Sequence, residues 1–173
     1  AGLLLNGKQP SVAPGSCPDT HTPLPHSPLP HSNDKTAPAM TNAQAILFVD
    51  PSVTHSEILL AGLGPETRVH RLSPSGKPFA EMADALSTGT SVGRISILAH
   101  GSPGTLTLAG RQIDPGGLAD AAPDLARIGA ALDRPAEVVL VSCETGQGAE
   151  GQLFVKTLEA ALGVPVHASK TVL

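Results

Sequence analysis

Between residues 45 and 168, strand-like segments alternate with helix-like ones, and this alternation limits the fold more than any other feature of the chain. Ala45–Asp50 (AILFVD), Arg94–His100 (RISILAH) and Glu137–Cys143 (EVVLVSC) are near-continuous apolar runs that end in a polar residue. Arg68–Leu72 (RVHRL) alternates, and Val164–Ala168 reads as a final strand. Helical pattern lies between them. Ser56–Leu63 is a short segment with Ser56 or Thr54 as its cap. Phe79, Met82, Ala83 and Leu86 recur at i, i+3, i+4 and i+7 over Phe79–Ser87. Leu118–Leu132 is Ala-rich with a break near Pro123, and Glu150–Leu162 sets Leu153, Phe154, Leu158, Ala161 and Leu162 on one side. Thr105–Ala109 and Arg111–Asp114 flank Gly110 and read as a small hairpin. Buried parallel strands are apolar throughout, because both of their faces are covered. The expected fold is therefore α/β, a three-layer sandwich with a mostly parallel sheet and helices on both faces. Residues 94–100 and 137–143 form its central strands. A flavodoxin-like strand order fits the same alternation.

Composition removes several function classes. The chain has 173 residues, 40% of them apolar, 15% charged, and a net charge of −4. It has no Trp, no Tyr and no basic stripe, so a stacking platform for nucleic acid is excluded. No run approaches the roughly 18 apolar residues of a membrane helix, so no membrane insertion is expected. Residues 1–39 stand apart. They hold 8 of the 17 prolines and 3 of the 7 histidines, and repeat Pro-Leu-Pro-His-Ser back to back over residues 23–32. Dense proline blocks helix and ladder alike. The stretch reads as a disordered tail or a non-native leader, with the domain spanning residues 40–173 from Met40. A signal peptide does not fit, because Leu3–Leu5 is the only apolar run and no basic segment precedes it. His21, His26 and His31 fall five residues apart, on different sides of an extended three-residue-per-turn helix, so they argue against a metal site. Cys17 and Cys143 make neither a disulfide framework nor a zinc pattern.

In a parallel α/β sheet the ligand site lies beyond the carboxyl ends of the strands. Those ends read Asp50-Pro51-Ser52, His100-Gly101-Ser102 and Ser142-Cys143-Glu144. The third and fourth strands thus deliver a histidine and a cysteine to one rim. With strands about 4.8 Å apart, the two side chains come within reach of each other. A thiolate is a strong nucleophile, and a neighbouring imidazole takes the thiol proton. His100 and Cys143 are the candidate catalytic pair. The amides of Gly101 and Cys143 are the candidate oxyanion donors, and Gly101, Ser102, Asp50 and Ser142 the candidate cleft lining. Read singly, a strand-end Cys is usually a small core residue and a strand-end His a surface polar group; it is their joint placement that favours chemistry. His55, His70 and His167 read as structural. Gly146-Gln147-Gly148-Ala149-Glu150-Gly151 matches G-x-G-x-x-G, but it follows the fourth strand and no acidic residue stands near the ribose position downstream. No cofactor is expected.

Three stretches together resemble the DUF4347 family: ILFVDPSVTHSEILLAGLGPETRVHRL, ISILAHGSPGTLTLAG and EVVLVSCETGQGAEGQLFVKTLEAALGVPVHAS. The most specific pieces are Phe48–Val53, His100–Gly104 and Cys143 before its Gly/Ala-rich helix start. That family is similar to the caspase-like cysteine peptidases, which share a His-Gly after one strand and a Cys after the next. The resemblance implies a caspase-like sandwich, a His100–Cys143 dyad with Gly101 in the oxyanion hole, and a polypeptide substrate cleaved in cis. It further implies a place near the N-terminus of a large bacterial surface or secreted protein of adhesin type, and hence an extracellular or cell-surface location. The chain departs from the family in having Ser142 where Gly usually precedes the cysteine, and in stopping at Leu173 where the family usually continues. A catalytically silent adhesion module is the alternative.

Overall fold

A computed structural model describes residues 44–88 and 92–173. The expectations for the tail, Cys17, the three tail histidines and a start at Met40 lie outside those residues. The described chain runs β1 (Gln44–Val49), α1 (Ser56–Leu60), β2 (Thr67–Arg71), α2 (Pro78–Leu86), β3 (Val92–Leu98), β4 (His100–Ser102), β5 (Thr105–Leu108), β6 (Arg111–Ile113), α3 (Pro115–Asp120), α4 (Ala122–Ala130), β7 (Glu137–Val141), α5 (Gly148–Leu162) and β8 (Val166–Ala168).

Five strands form one sheet in the order β2-β1-β3-β7-β8, and each pairs parallel with its neighbour. The expected α/β sandwich with a mostly parallel sheet is present. Its order reverses between β1 and β3, the crevice where doubly wound sheets bind ligands. Alternate residues of each strand face opposite layers, as the pleat requires. Ile46, Phe48, Ile95, Ile97, Val138 and Leu140 join Phe79 and Met82 of α2, Leu125 and Ile128 of α4, and Phe154 and Leu158 of α5 in the main core. Leu47, Val49 and Leu98 face the other way, where, among the described residues, the partly buried hydrophobics Val53, Leu60 and Val141 pack on them.

The second layer is thinner than the alternation implies. The helix α1 spans Ser56–Leu60 alone, its N-cap His55 is left-handed (φ 58°), and no side chain caps it. Ser56 and Thr54, the expected caps, do not serve. Ile58 and Leu59 of this helix remain exposed, at 77% and 55%. The break in the Ala-rich segment falls at Ala121, between α3 and α4, and Pro123 sits in the first turn of α4, where its missing N–H costs nothing. Asp114 caps α3 by accepting the Gly117 amide at 2.8 Å.

A second, smaller sheet goes one strand beyond the expected hairpin. The antiparallel strands β4, β5 and β6 stand beyond the carboxyl end of β3. The hairpin of β5 and β6 matches expectation, with Ala109 and Gly110 at φ 51° and 73° forming its two-residue turn. The added strand is β4, three residues that begin at His100, separated from β3 by Ala99.

Candidate functional site

The register of the central strands builds the site. Leu98 is partnered with Val141, and the Ala99 amide donates to the Val141 carbonyl at 3.2 Å. Two residues beyond this last pair come His100 on one side and Cys143 on the other. His100 is exposed and Cys143 partly exposed. Cys143 is a free thiol. The His100 Nε2 lies 3.4 Å from the carbonyl oxygen of Ser52. A carbonyl only accepts, so in this contact the ring donates from Nε2.

The loop after β7 is tightly held. Glu144 takes a left-handed backbone (φ 54°), unusual for a residue with a side chain. Its amide donates to the Thr171 carbonyl at 3.0 Å, the Gly146 amide to the Ser169 carbonyl at 2.8 Å, and the Gln147 amide to the Glu144 carbonyl at 2.8 Å. Residues 169–171 thus strap the cysteine loop. Thr145 is fully buried, and its hydroxyl meets Ser142 Oγ at 2.8 Å and the Thr105 carbonyl at 3.2 Å. Spacing alone did not single out Thr145, because a buried threonine in a Gly-rich loop carries no periodic signal.

Gly101 has a packing reason to be glycine. A Cβ there would collide with the Thr145 hydroxyl and stand 2.8 Å from the Cys143 carbonyl. The close approach at this position is made by the chain's own cysteine loop. Gly151 is similar: its Cβ would lie 2.7 Å from the Thr145 carbonyl. Within the G-x-G-x-x-G stretch, Gly151 thus seats helix α5 on the loop and Gly146 lies against Ala168 and Ser169, while Gly148, at φ 68°, has nothing within 4 Å.

The structure distributes the expected cleft residues unevenly. Ser102 is exposed, with its hydroxyl 2.5 Å from that of Thr105. Ser142 is buried (1% exposed) and turned to Thr145. Asp50 is buried completely (0% exposed) and accepts from the Ser52 amide and hydroxyl and from the Ala109 amide. Neither Ser142 nor Asp50 offers a surface to a ligand, because internal donors and acceptors occupy their polar atoms. A groove of about 470 Å³ runs between Lys77–Phe79, Arg111–Asp114 and α3, and neither His100 nor Cys143 lines it.

The three remaining described histidines have other surroundings. His70 packs edge-on against Phe48 with ring centroids 5.5 Å apart and meets Glu81 at 3.1 Å. His167 stands 3.4 Å from Glu137, and His55 forms the left-handed entry to α1. Among the described residues no group of three or more His, Cys, Asp or Glu side chains could hold a metal. No helix of the described residues is long and apolar enough to cross a membrane.

Comparison with known proteins adds one match. The profile of a family described as a domain of unknown function, DUF4347, matches residues 46–173. No curated protein and no solved structure matches the chain.

Proposed function

The chain belongs to the DUF4347 family, and from that premise we propose that it is a caspase-like cysteine peptidase-related domain with Cys143 as nucleophile and His100 as base. One observation carries the reading: the paired ends of β3 and β7 lead, two residues on, to His100 and Cys143. In this reading His100 Nδ1 takes the Cys143 thiol proton while Nε2–H stays on the Ser52 carbonyl. The sulfur bonds to the carbonyl carbon of a peptide, the imidazolium returns the proton to the leaving amine, and water hydrolyses the thioester. The amides of Gly101 and Cys143 are the proposed oxyanion donors, since those of Glu144, Gly146 and Gln147 are already engaged. The substrate is a polypeptide, cleaved in cis within a larger bacterial surface or secreted protein of adhesin type. That setting rests on the family resemblance.

The second reading is a catalytically silent adhesion module. It is favoured by the strap of residues 169–171, which fills the far side of the cysteine loop with the chain's own backbone. Alkylation of Cys143 by iodoacetamide separates the two. Rates are read by mass spectrometry on the whole chain and on His100→Ala across pH 5–9. A dyad predicts that the variant loses about tenfold or more of the rate near neutrality. Equal rates in the two proteins overturn the peptidase reading and leave the silent module.

A further inference from the structure

We infer that Asp50 is a positioning residue for His100, holding the ring through Ser52 and the strand that carries it through Ala109. The inference rests on the reading of His100 as the base. Burying a carboxyl away from water is costly unless its oxygens are fully hydrogen-bonded. At Asp50 both oxygens are used, and every partner is a donor.

The first arm is local in sequence. Asp50-Pro51-Ser52-Val53 is a turn in which the Val53 amide donates to the Asp50 carbonyl at 3.2 Å. Proline presets the second position, and the aspartate side chain accepts the amide two residues on. That amide, of Ser52, reaches Oδ1 at 2.9 Å, and the Ser52 hydroxyl donates to the same oxygen. With both of its donors held, Ser52 presents its carbonyl to His100 Nε2.

The second arm crosses 59 residues. The Ala109 amide donates to Asp50 Oδ2 at 2.5 Å. Ala109 is left-handed at φ 51°, a conformation disfavoured for a residue with a Cβ. A charge-capable acceptor on its amide offsets that cost and holds the turn between β5 and β6. Strand β5 in turn pairs with β4, where Thr107 stands opposite His100. One carboxyl therefore grips the histidine from two directions, at its ring and at its backbone. Asparagine would not substitute, because its NH₂ group would face an N–H donor.

The test reads the tautomer of His100 directly. Ring nitrogen shifts are measured on the ¹⁵N-labelled full chain, with His100 assigned by the signals lost in His100→Gln. The expected wild-type ring is a single neutral Nε2–H form, and Asp50→Asn converts it to a mixture containing Nδ1–H. A folded Asp50→Asn with the wild-type tautomer overturns the inference, as does a wild-type ring in the Nδ1–H form. Because Asn at a buried site can unfold the domain, Ser52→Ala provides a second variant. It leaves the carboxyl and backbone in place, removes one donor at an exposed residue, and is expected to shift the tautomer in the same direction by less. No shift in Ser52→Ala also overturns the inference. The tautomer is independent of Cys143 reactivity. If His100→Ala leaves alkylation unchanged while Asp50→Asn still shifts the ring, the peptidase reading fails and the positioning role stands.

Discussion

The Ala99 amide donates to the Val141 carbonyl at 3.2 Å, the last bond between the central strands before the chain turns into His100 on one side and Cys143 on the other. Everything proposed for the site depends on that handover, and the residues around it can be tested one at a time.

Gly101→Ala should loosen the site without touching either candidate catalytic side chain. Its Cβ would press on the Thr145 hydroxyl and the Cys143 carbonyl, the latter backbone that cannot rotate away. A loss of about 1–3 kcal/mol is expected from overpacking of this kind, read as a lower urea midpoint by circular dichroism. Unchanged stability would show that the two loops separate easily.

Thr145→Val keeps the shape and removes the hydroxyl shared by Ser142 and the Thr105 carbonyl. The expected cost is about 1–3 kcal/mol, because the Ser142 hydroxyl is left buried with its partner gone. Ser142→Ala added to Thr145→Val should then cost little or even restore stability. Additive losses in the double mutant would contradict a coupled pair.

Glu81 supplies a pH dependence. Burial pushes its carboxyl up, but hydrogen bonds from the Ser73 amide, the His70 ring and the Ser73 hydroxyl, with the charge of His70, outweigh it and hold the group below its ordinary value. A carboxyl lowered in the folded state contributes stability above its unfolded value and loses it as pH falls through the folded one. Glu81→Gln should therefore be destabilising at pH 6–7, and its gap from wild type should close below about pH 4. A gap that persists at pH 3 would assign the effect to packing instead.

Phe154→Ala tests the thick side of the sandwich. Phe154 is fully buried against the main core from α5. Its loss should cost about 3–5 kcal/mol through lost burial and the cavity left behind. Leu59→Ala, on the thin side and 55% exposed, should change stability little. Equal losses at the two positions would mean that the thin layer carries as much of the stability as the thick one.

Local pattern was enough for the elements and for the rim. Apolar runs of strand length and the spacing of Phe79, Met82, Ala83 and Leu86 are written in neighbouring residues, so the five parallel strands and four of the helical segments were legible. A parallel sheet exposes its strand ends on one edge, so the sequence alone brought His100 and Cys143 into view as a pair. Tertiary structure decided what those ends touch. The strand β4 is three residues long and pairs through a hairpin, too short for any periodicity. Asp50 and Ser142 looked like cleft residues because polar groups at strand ends usually face the ligand side. Each also has a distant tie that no local window contains: Ala109, 59 residues from Asp50, and the Thr105 carbonyl, 40 residues from the Thr145 hydroxyl that meets Ser142. The thin second layer has the same origin. A helical pattern states which residues share a side, but only the packed chain fixes how many turns form and what they cover, and α1 is five residues, Ser56–Leu60, entered from a left-handed His55.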